Sequence, residues 1–513
     1  STTDLNTIQT NSGETVTYTK LNDTASNLVT NKADIVSGVT ATAVETGAAS
    51  TFATVAQINS LQAQASSAGG GASFVYTKVN DTSANIVANT SGGSIQDITG
   101  KTVTVTTASN AENYEAMISA AGGGGSVAGA VVDSAANLAT TESVTLTGAT
   151  SVTAQISNAN DLTAVTLDSE VTHIDISTNS VANVLFDIED LNNGANANRT
   201  IVNAGSTGSY KIKDTAANLV TGVAFVEDQT VIIDDSSTAA STSELNSIQA
   251  GIGTGSITYT KLSGTASELD TNKADIIAGV TATAVETGAA STFATVAQIN
   301  SLQARATAVG GSASFVYTKV NDTSANIVAN VDGGGAIQDI TGKTVTVTTA
   351  SNVTNYGKML TAAGGGGSVA GAVVDSASNL ETVTLTGATS VTAEISNAND
   401  LTAVTLDSEV THIDISTNSV ANVLLDINDL TNRTVVNASS AGSYKVKDTA
   451  SVLAGASSSL LNGQAVVIND GVTAATTSEL NTIQTSTGGG TVTYTKLKGT
   501  ASDLVTNKAD ITS

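Results

Sequence analysis

Two histidines are the only imidazoles in the chain, and both lie in the same hexapeptide, V-T-H-I-D-I, as His173 and His412. On a strand, His173 and Asp175 point to one face and Ile174 and Ile176 to the other. Such a pair offers two metal ligands, but a structural zinc site needs about four and no local residue completes it. A solvated strand face is the expectation. The acidic runs Asp187-Ile188-Glu189-Asp190 and Asp234-Asp235 carry the oxygen ligands that calcium takes. Neither has EF-hand spacing, and the bland alternative is solvated loop carboxylates.

Gly100-Lys101-Thr102 and Gly342-Lys343-Thr344 invite a phosphate-loop reading. That loop needs a glycine five residues before the Gly-Lys pair, where Ile95 and Ile337 stand, and it should lead into a helix. A turn before a strand is expected at both. Serine and threonine abound, yet no G-x-S-x-G elbow occurs, and two histidines are few to serve as base. Every candidate group also recurs along the chain, so none marks a single catalytic groove. No enzyme is expected, and no catalytic, cofactor-binding or metal-binding residue is assigned. No cofactor is expected; calcium is the one cation the acidic loops could hold.

Two smaller patterns fall to simpler explanations. The threonine ladders Thr102 to Thr107 and Thr344 to Thr349 match flat T-x-T ice-binding faces, but threonine is also a good strand former. Asn22-Asp23-Thr24, Asn80-Asp81-Thr82 and Asn321-Asp322-Thr323 fit the glycosylation pattern, yet they coincide with the repeated signature described next.

The elements that carry these residues are organised by Asp23-Thr24-Ala25-Ser26-Asn27-Leu28. It returns from Asp81, Asp133, Asp214, Asp322, Asp375 and Asp448, with degenerate copies from Asn179, Gly264, Asn418 and Gly499. These eleven occurrences stand 30 to 58 residues apart. Alternating runs such as Val16 to Leu21 and Phe74 to Val79 precede it and read as half-buried strands. The Asp reads as a helix N-cap, accepting from the first-turn N–H groups, with Leu or Ile turned inward. Further strands are expected at Val39 to Ala43, Thr102 to Thr106, Val144 to Thr147 and Val165 to Leu167. Val55 to Leu61 has helical spacing, Asp187 to Leu191 is a helical turn or loop, and glycine clusters such as Gly122 to Gly125 are loops.

A strand–cap–helix unit cannot bury its apolar face alone and must stack on neighbours. The fold class expected is therefore a β-rich, β-helix-like solenoid with short helices between strands, forming an elongated repeat rod. Above the unit lies a long duplication. Gly38 to Ala63 recurs unchanged at Gly279 to Ala304, and Ser157 to Leu185 at Ser396 to Leu424. Residues 1–240 form the first long copy, 241–475 the second, and 476–513 the start of a third. Stopping in mid-repeat predicts a window of a longer array.

Composition agrees with a narrow, hydrogen-bonded repeat. The 513 residues hold no proline, no cysteine and no tryptophan, and aromatics are 3%. Without proline no ladder donor is lost, and without cysteine no disulfide scaffold exists. The balance of 45 acidic to 19 basic residues gives −26, which disfavours nucleic acid as a partner. No apolar run is long enough to span a bilayer as a helix, so no membrane insertion is expected. The chain opens at Ser1, so any targeting signal lies outside it, was removed, or is not of the N-terminal cleavable kind.

The D-T-A-x-N-L signature, with V-T-L-T and A-Q-I-N-S-L segments, resembles repeats of giant surface proteins of cyanobacteria and proteobacteria. The resemblance covers essentially the whole chain. It implies an extracellular, cell-surface location, export by a type I route in RTX-type company, and a structural or adhesive role. The calcium nonapeptide GGxGxDxUx is missing, so calcium-driven folding is not implied. The function expected is a structural repeat segment that self-associates into a surface layer, sheath or filament. The alternative is an adhesin stalk binding carbohydrate, a surface or calcium, with extracellular polysaccharide as its partner.

Overall fold

The computed structural model describes residues 1–511 apart from 92, 97, 140–144, 157–161, 163–164, 177–183, 193–197, 204–209, 333–339, 396–400, 403, 416–422 and 438–443. Two compact units account for the chain, Ser1–Tyr259 and Thr260–Ser513. The degenerate signatures opening at Asn179 and Asn418 lie outside the described residues.

The solenoid expectation is overturned. The chain is an α/β fold with several short parallel sheets and seventeen α-helices among the described residues. In the first unit the strands fall into separate sheets. Lys20–Asp23, Thr40–Ala43 and Ser73–Val75 make one of three strands. A six-stranded sheet runs in the order Thr200–Val202, His173–Asp175, Ala149–Gln155, Ser126–Ser134, Thr102–Val105, Lys78–Asp81. Val184–Phe186, Tyr210–Asp214, Thr230–Ile233 and Ser256–Thr258 form a four-stranded sheet. The second unit repeats the six-stranded sheet from Lys319–Asp322 to Thr434–Val436 and the four-stranded one from Val423–Leu425 to Val492–Thr493.

Parallel neighbours explain the helices. Lys20–Asp23 pairs parallel with Thr40–Ala43, and that strand pairs parallel with Ser73–Val75. Each return to the same sheet edge needs a crossover, which the helices Ala25–Thr30 and Val55–Ala68 supply. Among the described strands only Thr90–Ser91 and Ser94–Ile95 pair antiparallel. Register places Leu21, Ala41 and Phe74 in one buried row and Lys20, Thr40 and Ser73 in the row facing out. Val79, Val103 and Val127 continue the same logic in the next sheet.

The helix Val55–Ala68 forms because its sequence satisfies both ends. Thr54 and Gln57 make a capping box, and Val55, Ile58, Leu61 and Ala65 bury one stripe. Gly148 shows where a close approach demands glycine: φ is +88°, and a Cβ would lie 2.4 Å from the Val127 carbonyl oxygen.

Local expectations were met at Val39 to Ala43, Val55 to Leu61, Thr102 to Thr106 and the helical turn after Asp187. Others were not. Val16 to Leu21 is strand only from Lys20 onward, and Phe74 to Val79 breaks at Tyr76 and Thr77 into two strands. Among the described residues of the two remaining segments, 145–147 and Val165 and Thr166 are not strand, and Leu167 makes one isolated antiparallel bridge to Ala139. Gly122–Gly124 is a short 3-10 turn rather than loop. Alternation of Val and Thr suits a strand, but a strand forms only where a partner lies within hydrogen-bonding distance.

Candidate functional site

The repeated signature builds a polar arrangement that recurs along the chain, and the structure corrects the role of its aspartate. Thr24, not Asp23, is the N-cap: its side chain accepts from the N–H of Asn27. Asp23 stands one residue earlier and reaches in two directions. Its Oδ1 accepts from the Thr24 N–H at 2.8 Å and from Asn27 Nδ2 at 2.8 Å. Its Oδ2 accepts from the Thr2 N–H at 2.9 Å and the Thr2 hydroxyl at 2.6 Å, at the start of the preceding long helix.

This clamp recurs. Asp81 accepts from Val55 N–H, Thr82 N–H and Asn85 Nδ2 at 2.9, 2.7 and 2.7 Å. Asp133 takes Ala111, Ser134 and Asn137 in the same way, and Asp214 takes Ile188, Thr215 and Asn218. Asp322 and Asp375 repeat it on Val296 and Val353. Asp448 lacks the Asn, because Val452 stands there, and its bond from the Ile427 N–H is 3.3 Å. One carboxylate thus satisfies an orphan N–H at one helix start and fixes the next helix entry. Burial works against the charge of Asp23, but the bonds from Thr2, Asn27 and Thr24 outweigh it and hold the carboxyl at about 2.

Where the aspartate is replaced by glycine, the acid moves four residues on. Gly264 is followed by Glu268, whose Oε2 accepts from the Thr265 N–H at 2.8 Å. Gly499 is followed by Asp503, whose Oδ2 accepts from the Thr500 N–H at 3.1 Å. This exchange, D-T-A-x-N for G-T-A-x-E or G-T-A-x-D, is visible in the sequence and is missed when the glycine forms are read as mere decay.

A second group of carboxylates ties strands. Glu45 accepts from the N–H groups of Thr77 and Lys78 at 3.0 and 2.9 Å, and Glu286 does the same for Thr318 and Lys319 at 2.9 and 2.8 Å. Asp470 receives the Thr495 hydroxyl at 2.7 Å together with the Thr495 and Lys496 N–H groups. Much of the acidity counted above is therefore occupied inside the fold.

Asp187 and Asp190 form a reciprocal capping box on the helix Ile188–Leu191. Asp190 is 1% exposed. Burial, reinforced by the Asp187 charge, pushes its carboxyl up to about 8; in the second unit burial and Asp426 push Asp429 up to about 7. Arg199 lies beneath, and its five N–H donors go to the carbonyls of Val171, Glu189, Asp190, Leu167 and Asp168. A hollow of about 520 Å³ beside it is lined by Thr166, Asp168, Glu189, Arg199 and Asn218. With every guanidinium donor engaged, Arg199 works as a staple between loops. Asp234 is drawn down by bonds from Ser236 and lies 3.9 Å from Lys213 Nζ.

His173 and Asp175 share the outward face while Ile174 and Ile176 are fully buried, as the alternation predicts. His173 Nδ1 meets the Thr172 hydroxyl at 2.8 Å, His412 meets Thr411 at 2.8 Å, and Asn203 Nδ2 donates to Asp175 at 2.9 Å. Among the described residues no three His, Asp or Glu side chains are grouped to hold a metal ion. Gly100 and Gly342 turn with φ of 70° and 72° into strands, as expected. The Lys101 ammonium donates to the Tyr76 carbonyl at 2.9 Å and lies 4.8 Å from the Tyr76 ring centre, and Lys343 repeats this on Tyr317.

Among the described residues no helix is long and apolar enough to cross a membrane. No protein-family model, curated protein or solved structure matches the chain.

Proposed function

We propose that this chain is a structural repeat segment of an extracellular surface protein, whose copies self-associate into a layer, sheath or filament. One observation carries the reading: the recurring carboxylate clamp joins the start of one helix to the entry of the next, in both units. A fold whose recurring polar groups are engaged in joining neighbours is suited to bearing load between repeats. The duplicated lysines point the same way, since Lys101 and Lys343 each reach the carbonyl of a tyrosine in the preceding repeat.

Electron microscopy of the purified chain, with and without chelator, tests this. Ordered filaments or sheets are expected in both conditions. Assemblies lost in chelator would bring calcium into the account. Dispersed single particles at every concentration would sink self-assembly and favour the adhesin stalk.

A further inference from the structure

The hollow beside Arg199 is lined by stretches that the long duplication treats differently. Thr166 to Ser169 recur unchanged as Thr405 to Ser408 in the second unit. Glu189, Asn218 and Thr221 do not: their counterparts are Asn428, Val452 and Gly455. The buried positions of the signature helix stay the same, Ala216 and Leu219 in Ala216–Thr221 against Ala450 and Leu453 in Ala450–Gly455. Packing therefore does not call for the exchange, and Val452, standing where Asn218 does, is 43% exposed. Of the two units, only the first places a carboxylate, an amide and a hydroxyl here.

The unspent capacity of these groups is to accept. Asn218 Nδ2 donates to Asp214 Oδ1 at 2.8 Å, which fixes the amide and leaves its Oδ1 as an acceptor. The Thr221 hydroxyl donates to the Asn218 carbonyl at 2.8 Å and keeps its lone pairs. Glu189 is exposed, and its carboxylate accepts from no described residue. Asp168 spends Oδ1 on the Glu170 N–H at 2.9 Å and adds a second carboxylate to the lining. Arg199 adds one positive charge but no donor, because its five N–H groups go to carbonyls. What these residues offer a ligand is acceptors and net negative charge.

We propose that this hollow binds a hydroxyl-bearing primary amine of the size of an unacetylated amino sugar. Its ammonium lies against Glu189, and its hydroxyls donate to Asn218 Oδ1 and the Thr221 oxygen. An ammonium carries three donors and no acceptor, and it meets a carboxylate in the strong, charge-assisted form. A neutral sugar needs donors as well as acceptors from its site and is served less well here. The volume of about 520 Å³ falls within the range of small-molecule sites and leaves room for a ring beside the ammonium. The site lies within the first unit and stands whether or not copies of the chain associate.

Calorimetric titration of the full chain with glucosamine tests this, beside glucose and N-acetylglucosamine, which lack the ammonium. Glucosamine is expected to bind at least about tenfold more tightly than either, the worth of one charge-assisted hydrogen bond. Glu189→Asn and Asn218→Val copy the second unit, which folds with those residues, and Glu189→Gln removes the charge while keeping the shape. Either change at Glu189 is expected to weaken glucosamine about tenfold, and the Glu189→Asn, Asn218→Val double variant to abolish its binding, with circular dichroism unchanged. Absence of glucosamine binding would overturn the proposal. So would equal binding of glucose, or glucosamine binding that the double variant retains in full.

Discussion

At the residue scale the aspartate of the signature matters because it holds two helix entries at once. Asp81 is 8% exposed and accepts three bonds, one of them from the Val55 N–H of the preceding long helix. Asp81→Ala strands buried donors, and hydrogen bonds to a charged group contribute roughly 1.5–3 kcal/mol each. Native-state hydrogen exchange of the first-turn amides of Val55–Ala68 is expected to show their opening free energy lowered by about 3 kcal/mol. The double change Asp81→Gly with Asn85→Glu copies the arrangement at Gly264 and Glu268 and is expected to restore the Thr82 N–H partner but not that of Val55. Equal exchange in Asp81→Ala and the parent chain would remove the clamp from the account. The sequence places this carboxylate beside a helix start, and that much was legible. Its second partner lies 26 residues away, at a distance no local spacing encodes.

At the element scale the short helix Ile188–Leu191 and its counterpart Ile427–Thr431 carry buried acids that prefer their protons. Burial first, then the neighbouring Asp187 or Asp426, raises Asp190 to about 8 and Asp429 to about 7. Unfolded, each carboxyl ionises near 4, so from there up to the folded values the folded chain binds the extra protons. Their contribution is fully present below about pH 4 and is lost as pH rises through 7 to 8. Asp23 acts oppositely: its contribution is present above the unfolded value and is lost as pH falls through about 2. Thermal midpoints are expected to fall from pH 5 to 9, and the Asp190→Asn, Asp429→Asn double variant is expected to flatten that slope. An unchanged slope would contradict the assignment. The acidic run was plain in the sequence, but Arg199 was not an obvious companion, since its carbonyl partners come from three separate stretches.

At the scale of the whole molecule, inward Leu and Ile positions and the stripe of Val55, Ile58 and Leu61 were legible because helical periodicity is local. The sheet arrangement was not. Alternating Thr and Val suggested strands wherever it occurred, yet Val165 and Thr166 are not strand and the Val165 N–H turns back to the Leu162 carbonyl, while short strands such as Thr40–Ala43 are joined in parallel through helical crossovers. Long-range pairing selected among equally strand-like segments, and this turned an expected solenoid into an α/β fold.

The measurement that bears most directly on self-association is hydrogen exchange of the full chain at dilute and at high concentration. A discrete set of surface amides is expected to slow as concentration rises, while those of the buried stripe of Val55–Ala68 do not change. Protection that is independent of concentration at every amide would contradict it.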